Sequence, residues 1–148
     1  MIYFPAPSWQ RPLRMTTVLK ARTILILVGT AAYWLLLFVG THIPGNPHDA
    51  GGHWDKLYHF SAYFGLTILL CTSMANFRRP GPATYAAIVG LVAAYGVMDE
   101  LTQMLVPSRT ADPLDWLADM SGALLAVLLF SLVQGLFRPS KNAQGATG

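Results

Sequence analysis

The sequence predicts an all-α integral membrane protein: a compact bundle of four transmembrane helices, both termini cytoplasmic, with a polar cleft open to the outside. Three observations lead there. Of 148 residues, 53% are apolar and only 11% charged, with a mean hydropathy of +0.43. A soluble domain carries about 25% charged residues, so this chain lacks the polar surface to stay in water. Four apolar runs each approach the roughly 20 residues that a bilayer-spanning helix needs. Finally, basic residues concentrate in alternate connections between those runs, as they do in multi-pass membrane proteins.

The first span is read from Thr23 to Gly40 and carries no charge. The second runs from Leu57 to Ala75, the third from Ala83 to Val106, and the fourth from Leu114 to Phe137. The connections HIPGNPHDAGGHWDK, FRRPGP and PSRTADP are polar or rich in proline and glycine, which stop helices through a fixed φ, a missing N–H and high backbone freedom. The chain therefore divides into a tail over 1–22, a membrane domain over 23–137 and a second tail over 138–148. Met15 is an alternative start that leaves a short basic tail before the first helix. That helix is read as retained, because its apolar run is longer than a usual signal sequence and no small-x-small cleavage site follows.

Orientation follows from charge. Arg11, Arg14, Lys20, Arg22, Arg78, Arg79, Arg138 and Lys141 fall on one side of a four-span topology, which the positive-inside rule makes cytoplasmic. Lys56 and Arg109 fall on the other side, with all the acids: Asp49, Asp55, Asp99, Glu100, Asp112, Asp115 and Asp119. The net charge of +3 and pI near 9.2 thus report topology, and no basic stripe or recognition motif points to nucleic acid. Trp54 and Trp116 suit an interfacial aromatic belt. The composition excludes disorder outside the tails, and one cysteine excludes a disulfide framework or a Cys-based zinc site. Cys71, in mid-helix, reads as a small core residue.

Ionisable groups within apolar helices are the informative residues. Asp99 lies eight positions before Pro107 and seven before Val106, where the span ends, so it is about 10 Å below the outer helix end. A charged Asp near mid-bilayer costs about 2.5–3.5 kcal/mol, so Asp99 and Glu100 are expected to face a polar interior. Asp55, His59 and Tyr63 recur every fourth residue on one helix face, as do Asp99 with Gln103 and Asp115 with Asp119. Three helices thus present polar stripes at one level, with Lys56 and Arg109 as the local cations. Asp55 or Asp115 taken singly could equally cap a helix. The pairs Ser61/Gly65, Gly90/Ala94 and Ala118/Gly122 have the small-xxx-small spacing that lets helices approach closely.

At these residues the chain resembles a known family. The run DKLYHFSAYFGLTILL resembles the first signature of the VanZ-like family, and YGVMDELTQMLVPSRTADPLDWLADMSGALL resembles its second. Together they cover Asp55 to Leu125. The resemblance implies a small bacterial membrane protein in which Asp55, Lys56, His59, Tyr63, Asp99, Glu100, Gln103, Arg109, Asp115 and Gly122 are the shared positions. Thr102 stands where the family often has His, and Asp119 where it often has Asn. The namesake of the family lowers susceptibility to the glycopeptide teicoplanin.

Three functions remain open. The favoured one is non-enzymatic: a protein of the bacterial cytoplasmic membrane that binds a lipid-linked wall precursor or a lipidated glycopeptide. Its pocket would be formed by Asp55, Lys56, His59, Tyr63, Asp99, Glu100, Gln103, Arg109, Asp115 and Asp119. A mixed acid and cation pocket beside lipid suits an amphiphile with an amine or hydrogen-bonding headgroup. The second is an intramembrane enzyme, with Asp99 or Glu100 as general acid/base and Arg109 stabilising an anion. The third is a proton-coupled carrier, for which four helices per protomer are few. Membrane lipids and that ligand are the expected partners and nucleic acid is not one; the oligomeric state stays open, and no cofactor or metal is assigned. The histidines His42, His48, His53 and His59 lack HExxH-type spacing, although an oxygen-rich Mg²⁺, Ca²⁺ or Mn²⁺ site built from the carboxylates stays open. The same outline leaves a structural ion-pair network as the alternative role for the buried acids.

Overall fold

The computed structural model describes residues 11–44, 53–107 and 109–137, with the side chains of 11–16 left aside. His48, Asp49 and the C-terminal tail lie outside the described residues. Within them there are four helices and no strand: α1 (Arg11–Thr41), α2 (His53–Phe77), α3 (Pro82–Gln103) and α4 (Pro113–Leu136). Each contains a stretch long and apolar enough to cross a membrane.

Local chemistry fixes the helix ends. Gly81 is extended before Pro82, and Asp112 is extended before Pro113, so proline starts both α3 and α4 where its missing N–H costs nothing. The Asp112 side chain accepts the Leu114 N–H at 2.9 Å, making Asp112 the N-cap of α4. Asp115 therefore does not cap: it lies one turn in and is bound by Lys56 instead. Two further boundaries differ from the sequence reading. Residues 11–22, expected as a tail, are helical from Arg11, and α3 stops at Gln103 because Leu105 and Val106 turn back onto Thr102 and Gln103 ahead of Pro107.

The helices run alternately up and down. At one end the α1 C-terminus meets α3 through Thr41 and Asp99, and the α2 N-terminus meets α4 through Lys56. At the other end Asn76 of α2 reaches Thr23 of α1, while Arg79 and Tyr85 reach Gln134 of α4. α2 is central, and its longest seam is with α4. Gly122 makes that seam close: a Cβ there would collide with the Phe60 carbonyl, and Gly65 similarly receives the Tyr33 ring. Gly90, by contrast, faces open space, so the Gly90/Ala94 pair does not form a helix contact.

The buried stripe of α2 reads His59, Tyr63, Leu66, Thr67 and Cys71 from one end to the other. That of α3 reads Ile88, Val92, Tyr95, Gly96, Asp99, Glu100 and Gln103, and that of α4 reads Asp115, Asp119, Gly122, Ala123 and Ala126. The acids and the histidine of these stripes lie toward one end of the bundle; toward the other end α2 also buries Ser73, whose hydroxyl shares a 3.0 Å hydrogen bond with Thr30. Tyr63, Tyr95 and Trp34 pack between these two ends, Tyr63 tilted against Tyr95 with ring centroids 5.8 Å apart and Trp34 edge-on to Tyr95 at 5.1 Å. Large apolar side chains are exposed on every helix, mostly Leu and Val on α1 and α4 and with Leu57, Met74 and Phe77 on α2, which only a lipid environment tolerates in such number.

Candidate functional site

All six acids among the described residues collect at the polar end, together with Lys56 and Arg109. They fall into three groups. Asp99, fully buried, is satisfied on both oxygens. Oδ1 accepts the Thr41 hydroxyl at 2.9 Å, and Oδ2 accepts Gln103 Nε2 at 3.0 Å and the Tyr63 hydroxyl at 3.4 Å. His42 stands 3.8 Å from Oδ1 and bonds through Nε2 to the Thr102 hydroxyl at 2.9 Å. The position where the family often has His thus carries a hydroxyl that meets an imidazole from α1.

The second group is the rim. Lys56 donates to Asp112 at 2.8 Å and to Asp115 at 2.9 Å, tying the start of α2 to the start of α4. The Lys56 ammonium, aided by the Leu114 N–H, holds the Asp112 carboxyl below the usual carboxylate range. Arg109 lies 3.9 Å from Asp55, and its guanidinium also donates to the Ile43 carbonyl at 3.4 Å.

The third group lies between α2, α3 and α4. His59 Nδ1 and Asp119 Oδ1 share a hydrogen bond of 3.0 Å. Glu100 Oε2 accepts the Asp112 N–H at 2.9 Å. Glu100 Oε1 and Asp119 Oδ2 are buried with no hydrogen-bond partner among the described residues. Such an atom costs about 1–3 kcal/mol if nothing satisfies it.

A recess of about 460 Å³ opens between α1 and α2 at this end. Thr41, Asp55, His59, Tyr63 and Arg109 supply its polar wall, while Tyr33, Leu37 and Tyr58 supply apolar surface. Of the ten residues named from sequence, Asp55, His59, Tyr63 and Arg109 line this recess. Asp99 and Gln103 lie behind Tyr63 and Thr41, and Lys56 and Asp115 form the rim clamp. Glu100 borders a separate hollow of about 300 Å³ beside Trp116 and Pro113.

Sequence reasoning missed Thr41, His42 and Asp112. Asp112 carried a signal, an acid directly before Pro at a helix start, but Thr41 and His42 only acquire meaning through the register of α1 on α3. Trp54 is 72% exposed, whereas Trp116 is half-buried and turned onto α3. Its indole N–H is spent on the Ala93 carbonyl at 3.1 Å, and the ring packs on Gly96. Cys71 is a buried core residue, as expected.

The four apolar helices make this a multi-pass membrane protein. No curated protein and no solved structure matches the chain. A family model described as VanZ/LLP1 matches residues 1–134, in agreement with the two signatures around Asp55 and Asp99, and the chain belongs to that family.

Proposed function

We propose that this is a cell-envelope protein of the bacterial cytoplasmic membrane, both termini inside, which holds an amphiphilic cell-surface ligand in the recess between α1 and α2. The ligand is a lipid-linked wall precursor or a lipidated glycopeptide of the teicoplanin type. In the second case its capture would lower susceptibility to the drug. One observation carries this reading: the recess joins an Asp55–Arg109 pair, an imidazole and two hydroxyls to the apolar surface of Leu37, Tyr33 and Tyr58. Such a wall offers donors and acceptors to a headgroup and apolar area to the chain attached to it.

The test is native mass spectrometry of the protein released from membranes in EDTA, compared with the Asp55→Asn, Arg109→Gln double variant. Removing both members leaves no unpaired charge. A lipid or glycolipid adduct on the wild type that falls at least tenfold in the variant is the expected result. Equal loads of bulk phospholipid on both would sink the reading.

A second reading, an intramembrane acid/base enzyme acting on a lipid headgroup, draws on the unpartnered Glu100 oxygen near the His59–Asp119 pair. It requires turnover that Glu100→Gln abolishes while the adduct persists.

A further inference from the structure

His59, Glu100 and Asp119 come from three different helices, and each offers a donor atom within 4.8 Å of the other two. All three are more than nine-tenths buried, with exposures of 5%, 6% and 1%. Among the described residues, the buried carboxylate oxygens without a hydrogen-bond partner, Glu100 Oε1 and Asp119 Oδ2, both belong to residues of this triad. We propose that His59, Glu100 and Asp119 bind one divalent transition cation of the Mn²⁺ or Zn²⁺ class.

Charge argues for a cation here. Around the triad stand Asp55, Asp99, Asp112 and Asp115, and among the described residues at this end only Lys56 and Arg109 offset six carboxylates. Both of those cations are committed at the rim, to Asp112, Asp115 and Asp55. Among the described residues the inner acids keep no Lys or Arg of their own: His42 stands 3.8 Å from Asp99, and His59 bonds Asp119 at 3.0 Å.

Donor chemistry narrows the ion. One imidazole nitrogen and two carboxylate oxygens suit borderline ions such as Mn²⁺ and Zn²⁺, whereas Mg²⁺ and Ca²⁺ prefer oxygen alone. Bonds of about 2.0–2.2 Å put the donors of one ion roughly 3–4.4 Å apart, so side-chain rotations of a few tenths of an ångström bring these three into range. The outer triad Asp55, His59 and Asp115 has similar spacing, but there Arg109 and Lys56 already occupy the carboxylates. Three protein donors leave coordination positions open. An ion so held would tie α2, α3 and α4 together, and His59 puts it against the wall of the recess.

The experiment uses tag-free protein in detergent, stripped with EDTA, exchanged into buffer and titrated with Mn²⁺ by electron paramagnetic resonance. The expected result is one saturable Mn²⁺ per chain, competed by Zn²⁺, with ¹⁴N coupling from an imidazole that disappears in His59→Gln. Glu100→Gln should weaken binding at least tenfold. Absence of saturable binding would overturn the proposal, as would unchanged affinity in Glu100→Gln or a larger loss in Asp115→Asn than in Glu100→Gln. If Glu100→Gln is not monodisperse on gel filtration, the wild-type ¹⁴N coupling and its loss in His59→Gln decide alone, and a missing coupling overturns the assignment. Because the lipid measurement is made in EDTA, either claim can fail without the other.

Discussion

Asp99 and Glu100 are adjacent on α3, and the helix turns their side chains about 100° apart, into two different regions. On one side Asp99 meets Thr41, Tyr63 and Gln103, and both of its carboxylate oxygens have a donor. On the other side Glu100 spends one oxygen on the Asp112 N–H and leaves its second beside His59 and Asp119. Burial is nearly the same for both acids, at 0% and 6% exposure, so burial does not tell them apart. What separates them is whether the protein itself completes their bonding. Asp99 joins α1 to the rest of the bundle, and Glu100 is left with capacity for something else.

The largest way to break this comparison is to remove the seam on which both regions depend. Gly122→Leu pushes a side chain into the Phe60 carbonyl and toward the Phe64 N–H, where backbone cannot yield. A loss of about 3 kcal/mol is expected, seen as aggregation on gel filtration or a lowered thermal midpoint in detergent. Next comes Asp99→Ala, which strands three donors and should cost about 2–3 kcal/mol at roughly 1 kcal/mol each. Glu100→Gln, with only one backbone donor at stake, should cost under about 1 kcal/mol on the same thermal scale. A larger loss in Glu100→Gln than in Asp99→Ala would reverse the assignment of the two regions.

Acidity sharpens the picture at the rim. The Asp112 carboxyl is held below its ordinary value, so the stability it contributes is present above the usual carboxylate pKa of about 3.9 and is lost as pH falls through the lowered value. Thermal midpoints followed downward from pH 5 should therefore drop less steeply in Asp112→Asn than in the wild type. An identical slope would show that the Lys56 clamp contributes nothing. The smallest effect belongs to Gly90→Ala, the control for Gly122. Its Cβ meets nothing, and about 0.5 kcal/mol of added thermal stability is expected from reduced backbone freedom.

Much of this architecture is legible in the sequence, for a physical reason: a bilayer forces each span to be apolar along its length, and the acids then stand out. The stripes Asp55–His59–Tyr63, Asp99–Gln103 and Asp115–Asp119 are visible because the helical repeat is fixed. The structure brings them to the same end of the bundle. The partition between them is not legible. Nothing local says that Thr41 will satisfy Asp99, since the two are 58 residues apart and their pairing depends on how α1 slides against α3. Nor does spacing reveal that Lys56 will choose Asp112 and Asp115, or that Trp116 will turn inward onto Gly96. Small residues misled in the same way: Gly122 and Gly90 sit in the same type of motif, and only the packing distinguishes them.

The loneliness of α1 bears on how the chain enters its membrane. That helix is synthesised before the other three, has few buried residues, and makes no contact with α4 among the described residues, so it can partition into lipid unaided. α2 is different. The ammonium of Lys56 finds its carboxylates 56 and 59 residues later, and His59 waits 60 residues for Asp119. Until α4 has been synthesised these groups have no bonded counterpart, and holding them in hydrocarbon would cost several kcal/mol. Synthesis therefore delivers α4 as the helix that completes the charge pairing of α2, and a chain truncated before α4 would leave α2 as the segment most prone to slip back toward water.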